Sequence, residues 1–278
     1  MTHRRVLQPL AACASVLAAL CIALLPACGQ SPGSADNAKP RVVSTIGMIA
    51  DVASNIAGQH ADVTPLMGPG VDPHLYKASP GDVRTLDQAD LVLFNGLHLE
   101  GRLADTLVQM AARTRVVRVT EALDPADLRE PEEFEGHPDP HVWFDVSLWA
   151  KTIPLIRDEL ITLRPQHAAE FTAAADAYAD KLAALHEWAK KSLATIPQDR
   201  RLLVTAHDAF GYFGHAYGLE VRAVQGISTD SEASLKSIND LVDTIVARKV
   251  PAVFFESSVP AKAVEALIEG ARAKGHEV

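Results

Sequence analysis

PQHAAEFTAAADAYADKLAALHEWAKKSLATI, residues 165–196, is the longest helix-like segment of the chain. Phe171, Ala175, Tyr178, Leu182, Leu185 and Trp188 recur at steps of three and four, which puts them on one stripe of a single helix. At about 1.5 Å per residue that helix is on the order of 45 Å long, enough to run along two lobes and tie them rigidly. On either side of it, short β-branched runs alternate with amphipathic stretches, the pattern of parallel sheets covered by helices. Upstream, the expected strands are 41–46, 61–67, 90–95 and 115–120, with Ser79-Pro80-Gly81-Asp82 as a capped helix start. Asp145 can cap a further helix to about 163, which Pro154 bends or restarts. Downstream, strands are expected at 201–205, 220–225 and 252–256, with helices at 209–217, 231–249 and 260–274. The fold class is therefore α/β: a lobe over 41–164, a linking helix over 165–196 and a shorter lobe over 197–278.

The first 27 residues stand apart from this pattern. Arg4 and Arg5 precede an apolar stretch over 16–25, and Leu25-Pro26-Ala27-Cys28 closes it, the layout of a secretory signal. The stretch is short for a bilayer span. Its Leu-x-Ala-Cys ending resembles a bacterial lipobox, which implies cleavage before Cys28, a lipid on its thiol and an exported, membrane-anchored protein. Cys13 and Cys21 fall in the removed part, so Cys28 is the sole thiol left, and neither an internal disulfide nor a cysteine metal site can form. Residues 29–40, GQSPGSADNAKP, have the composition of a flexible tether.

Without Arg4 and Arg5, 24 basic side chains face 35 acidic ones, a net charge of −11. Such a chain has no basic patch for nucleic acid and suits cations as partners. It reads as a monomer. Aromatic residues make up only 5% of the chain, so its core must rest on Ala, Val, Leu and Ile.

Two copies of Asp-Pro-His, at 72–74 and 139–141, and an isolated His207 in Thr205-Ala206-His207-Asp208 carry the chemistry. In open α/β sheets functional groups gather at the carboxyl ends of strands. His74 follows the 61–67 run through Gly68-Pro69-Gly70, His207 leaves the 201–205 run directly, and His141 precedes the helix capped by Asp145. Three imidazoles from separate loops point to a metal ion in the cleft between lobes. Asp72, Asp139 and Asp208 are candidates to accept from the imidazole N–H groups or to cap helices, and capping is the expectation for Asp208.

The segments 67–76 (MGPGVDPHLY), 139–145 (DPHVWFD) and 205–213 (TAHDAFGYF) resemble the TroA-like zinc/manganese-binding receptors of bacterial ABC transporters. The resemblance runs from about residue 41 to the end. It implies two α/β lobes on one rigid helix, an interlobe site whose first three ligands match His74, His141 and His207, and delivery of zinc or manganese as the transported ligand to an ABC permease. Receptors regarded as manganese-specific place Glu where this chain has His207. Imidazole suits zinc and manganese favours carboxylates, so zinc is favoured and manganese remains possible.

Two features depart from the family pattern. The stretch 124–139, which matches the long His-rich loop of zinc-dedicated members, is short and acidic and carries His137 alone. The family's fourth ligand, an Asp late in the second lobe, finds no counterpart before Val278, so a C-terminally truncated receptor with an incomplete second lobe is expected. Glu256 is the best substitute carboxylate, although hydrogen bonding to a neighbouring loop or to the Ser257-Ser258 backbone is its more expected role. Asn95 is expected to orient a ligand loop, and His98 and Glu100 to form a surface pair or cap a helix. His60, His167, His186, His215 and His276 receive no role. A zinc hydrolase, with water at an open fourth position, and a surface adhesin with a structural metal are the rival readings. No His-Glu-x-x-His pair supports the first.

Overall fold

The computed structural model describes residues 38–278 except Glu135, so the signal, Cys28 and nearly all of the tether lie outside the described residues. The first sheet is fully parallel, in the order β2 (Asp62–Pro65), β1 (Arg41–Ser44), β3 (Leu91–Phe94) and β4 (Arg115–Arg118). Val42 pairs with Val63 on one side and Leu91 on the other, and Leu91 pairs onward with Arg115. Val42, Leu91, Val92 and Leu93 are fully buried, as expected for strands covered on both faces.

The covering helices follow from local signals. In α2 (Pro80–Asp87), Ser79 Oγ accepts from the Asp82 N–H while the Asp82 carboxylate accepts from the Ser79 N–H, a reciprocal box behind Pro80. Asp145 caps α4 (Val146–Ala150) by accepting from the Ser147 and Leu148 N–H groups. That helix breaks at 151–152, and α5 (Ile153–Leu163) restarts with Pro154 in its first turn, where the missing N–H costs nothing. A bidentate pair from the Arg115 guanidinium to the Glu159 carboxylate, 2.9 and 2.5 Å, fastens α5 to β4.

The long helix is α6 (Ala168–Ala194), entered by a tight turn at Pro165–His167. Its stripe is buried from Phe171 through Ala175 and Tyr178 to Leu182, packed on α1 (Gly47–Ala57), α4 and α5. The Tyr178 hydroxyl donates to Asp51 of α1 at 2.5 Å. Leu185 and Trp188, expected on the same buried stripe, are 44% and 65% exposed. Past Leu182 the packing partner is the short α7 (Gly211–Tyr217), which covers less of the helix.

The second sheet pairs β5 (Leu202–His207) with β6 (Glu220–Gln225) in parallel, and its core gathers Val204, Val224, Leu241, Ile245 and Leu267. The helices α8 (Leu235–Ala247) and α9 (Lys262–Ala273) meet so closely that a Cβ on Gly270 would stand 2.8 Å from Val242 Cγ2. The expected strand at 252–256 does not form. Phe254 makes one bridge to Thr205, with its N–H on the Val204 carbonyl at 2.9 Å. Pro251 opens the segment without an N–H, and among the described residues no strand pairs its far side, which leaves Phe254 and Phe255 about half exposed. Among the described residues no helix is long and apolar enough to cross a membrane.

Candidate metal centre

Both Asp-Pro-His tripeptides fold into the same turn. The Asp72 carboxylate accepts from the His74 N–H at 2.9 Å, and the Asp139 carboxylate accepts from the His141 N–H at 3.0 Å, each closing an Asx turn over the intervening proline. Their remaining acceptor capacity is used differently. Asp139 Oδ1 also takes the His141 Nδ1 proton at 2.8 Å, so His141 Nε2 is free to accept. Asp72 Oδ2 instead takes the Thr229 hydroxyl at 2.6 Å, a bond from the second lobe to the first.

The chain thus brings His74, after β2, His141, after β4, and His207, the last residue of β5, to one point. One ring nitrogen of each lies within 4.8 Å of the others. All three residues are buried, at 4%, 2% and 6% exposure. His74 Nε2 and His141 Nε2 are 3.2 Å apart. Two nitrogens bound to one tetrahedral zinc at about 2.0–2.1 Å would stand about 3.3–3.4 Å apart, so the pair fits a shared ion with little movement. Burial, followed by the neighbouring imidazoles of His141 and His207, pulls the His74 pKa down to about 3. Burial also lowers that of His141, against the opposing pull of Asp139. Both rings are therefore held neutral, the form that binds a metal.

Glu256 backs the third imidazole. Its Oε1 accepts from the His207 N–H at 2.9 Å, and its Oε2 lies 2.6 Å from His207 Nδ1. That second contact is off the ring N–H direction, and Nδ1 stays without a hydrogen bond. The carboxylate does not fall within the cluster of three nitrogens, and it bonds neither to Ser257 nor to Ser258. The three histidines and Glu256 line a cavity of about 470 Å³ together with Trp143 and Phe144.

Behind these side chains lies a buried polar scaffold. The Asn95 amide donates to the Pro140 carbonyl at 3.0 Å and so holds the His141 turn. Glu100, expected in a surface pair or as a helix cap, is buried instead and accepts from Thr45 Oγ1 at 2.6 Å, Asn95 N–H at 2.7 Å and Gly96 N–H at 3.0 Å. Burial raises its pKa, and the three donors oppose the shift. Leu97 and His98, next in the turn, carry positive φ of 52° and 64°, a strained path that these bonds fix. Tyr212 of α7 reaches across from the second lobe: its hydroxyl donates to the Asp139 carbonyl at 3.1 Å and accepts from the Arg129 N–H at 3.0 Å. Asp208 does not cap α7, which starts at Gly211 with Phe210 before it and no side-chain cap. Its N–H instead bonds the Gln225 carbonyl at 3.1 Å, which keeps the chain on the sheet for two residues longer than expected. The supporting roles of Glu100 and Tyr212 behind the site were not foreseen from the sequence.

A long linking helix between two parallel sheets, with three imidazoles converging where the sheets' carboxyl ends face each other, defines a protein of the TroA-like fold. Residues 42–278 match the model of the family described as zinc-uptake complex component A, periplasmic. The chain belongs to this family. It is 45% identical over 255 residues to the manganese-binding lipoprotein MntA of Bacillus subtilis, covering 91% of this chain and 83% of that one. It is 46% identical over 267 residues to the zinc-binding protein TroA of Treponema pallidum, covering 96% and 86%. The solved structure of the periplasmic zinc-binding TroA from Treponema pallidum superimposes with a TM-score of 0.84 at 47% identity, over 87% of this chain and 86% of that one.

Proposed function

We propose that this protein is the extracytoplasmic receptor of a metal ABC importer, which captures a divalent transition metal at His74, His141 and His207 and hands it to the permease. The convergence of three buried imidazoles from two lobes is the observation that carries the reading. An all-imidazole set favours zinc over manganese. Family membership and the zinc- and manganese-binding relatives support the same conclusion.

The cavity's carboxylates favour capture over catalysis. A zinc hydrolase needs a general base free to activate bound water. Asp72 is occupied by the His74 N–H and the Thr229 hydroxyl, and Glu256 by the His207 N–H. The lobes are joined at the cleft by polar contacts such as Thr229 to Asp72 and Arg102 to Asp230 at 3.0 Å, and by Tyr212 and Phe210 of the second lobe packed against the first. Glu256, held against His207 in the same cavity, positions that imidazole.

The reading extends to an acyl anchor on Cys28, a tether over 29–40, lobes divided by the helix of 165–196, and action as a monomer. In the source bacterium, deletion should lower uptake of radioactive zinc and impair growth under chelation. The wild-type gene should restore both, and His141→Ala should restore neither. A deletion strain indifferent to zinc and manganese supply would overturn the assignment. Cys28→Ala should move the protein out of the membrane fraction.

A further inference from the structure

A second group of metal-ligating side chains lies outside the cleft. His60, His167 and Glu170 each offer one donor atom, and the three atoms lie within 4.8 Å of one another. His167 and Glu170 are three residues apart at the start of α6 and so share one face of the helix. His60 comes from the turn after α1, where its N–H is fixed on the Ala57 carbonyl at 2.9 Å. Its Nε2 is 2.5 Å from Glu170 Oε2, and His167 Nδ1 is 3.0 Å from Glu170 Oε1. The two rings stack at 3.7 Å, and the buried Phe171 ring lies 5.8 Å from one and 6.2 Å from the other. The donor atoms are therefore held on an apolar floor with their outer side open to water, since 59% of the Glu170 side chain is exposed.

We infer that His60, His167 and Glu170 form a second, solvent-open binding site for a borderline divalent metal ion such as zinc. Two imidazole nitrogens and one carboxylate oxygen are the donors that such an ion takes, with water filling what remains. In the ion-free arrangement Glu170 bridges both rings and occupies the place of the ion. Withdrawing its carboxylate by up to about an ångström opens its 2.5 and 3.0 Å contacts to the 3.3–3.4 Å donor spacing of a tetrahedral shell, with the two ring nitrogens within 4.8 Å of each other. The site is independent of the interlobe cluster. His60 lies just before the amino end of β2 and His74 follows its carboxyl end, so at about 3.3 Å per residue the four-residue strand alone separates them by about 13 Å. Being exposed and three-coordinate, it binds more weakly than the buried cluster and exchanges with the surroundings more readily.

Zinc titration of the folded protein against chelators of graded affinity tests this, with circular dichroism melting as a check on folding. Wild type should bind two equivalents in two steps. Glu170→Gln and His167→Ala should each weaken the second step at least tenfold and leave the first unchanged, while His141→Ala should weaken the first and leave the second. His60→Gln, in a different segment, should act as Glu170→Gln does. The imidazole NMR signals of His60 and His167 should shift with the second equivalent. A single equivalent in wild type, or a second step that survives the Glu170, His167 and His60 substitutions, would overturn the inference. A weakened first step alone would count against the interlobe reading and not against this one.

Discussion

Asp139→Asn isolates what the charge behind His141 contributes to metal binding. Asp139 Oδ1 receives both the His141 N–H, at 3.0 Å, and its Nδ1–H, at 2.8 Å, in a place where both side chains are 2% exposed. Asparagine of the same shape can still accept both bonds through its carbonyl oxygen. It loses the negative charge that makes the imidazole a better electron donor to an ion on Nε2. A hydrogen bond to a charged group contributes about 1.5–3 kcal/mol and a neutral one about 1, so the substitution removes about 0.5–2 kcal/mol. That is a loss of about 2- to 30-fold in zinc affinity, which overlaps the lower part of the roughly 10- to 100-fold range for replacing such supporting carboxylates. Asp139→Ala, which removes the acceptor as well, should cost more, toward 100-fold. Competition with a chromophoric zinc chelator at pH 7 reads both variants. If Asp139→Ala binds zinc within twofold of wild type, Asp139 does not support a metal ligand and the argument fails.

Three further outcomes follow from the same geometry. Asn95→Ala leaves the Pro140 carbonyl without its donor in a buried place and should lower stability by about 1–3 kcal/mol, read by urea unfolding, and weaken zinc binding through the His141 turn. Gly211→Ala should also weaken zinc binding with little effect on secondary structure by circular dichroism, because the new Cβ would stand 3.0 Å from Asp139 Oδ2 and 3.3 Å from Arg129 Nε. In the metal-free protein, the His74 pKa of about 3 lies below the ordinary 6.5, so between these values the unfolded chain binds the extra proton and stability falls as pH falls. His74 alone should cost about 2 kcal/mol between pH 7 and pH 5, measured as the difference between wild-type and His74→Asn unfolding curves; a pH-independent difference would refute it.

Much of this was legible because the signals were local. Ser79-Pro80-Gly81-Asp82 formed its capping box and Asp145 capped α4, since each depends only on atoms two or three residues apart, and Asp139 accepts from an imidazole as expected while Asp72 bonds the His74 backbone N–H instead. The meeting of His74, His141 and His207 was legible from the places of His74 and His207 after strands and of His141 before the helix that Asp145 caps. What local pattern could not supply was the presence of a partner. The stripe of α6 continued in sequence to Leu185 and Trp188, but burial ended with the helices packed against it. The 252–256 run had strand composition, yet a ladder needs a neighbour, and one bridge to Thr205 is all that formed. Asp208 looked like a cap until the sheet held its N–H. Glu100 was hidden for a different reason: a carboxylate is buried only where several donors converge, and Thr45 comes from 55 residues away. His60 and Glu170, 110 residues apart, became neighbours only once α1 packed on α6.

X-ray absorption at the zinc edge, on protein carrying one equivalent of zinc, probes the interlobe site most directly. The expected spectrum has a first shell of nitrogen and oxygen at about 2.0–2.1 Å with the outer-ring scattering of three imidazoles. That scattering should fall by one ring, or the metal should be lost, in each of His74→Ala, His141→Ala and His207→Ala. A first shell with at most one imidazole, or a spectrum unchanged by these substitutions, would contradict capture of the ion by His74, His141 and His207.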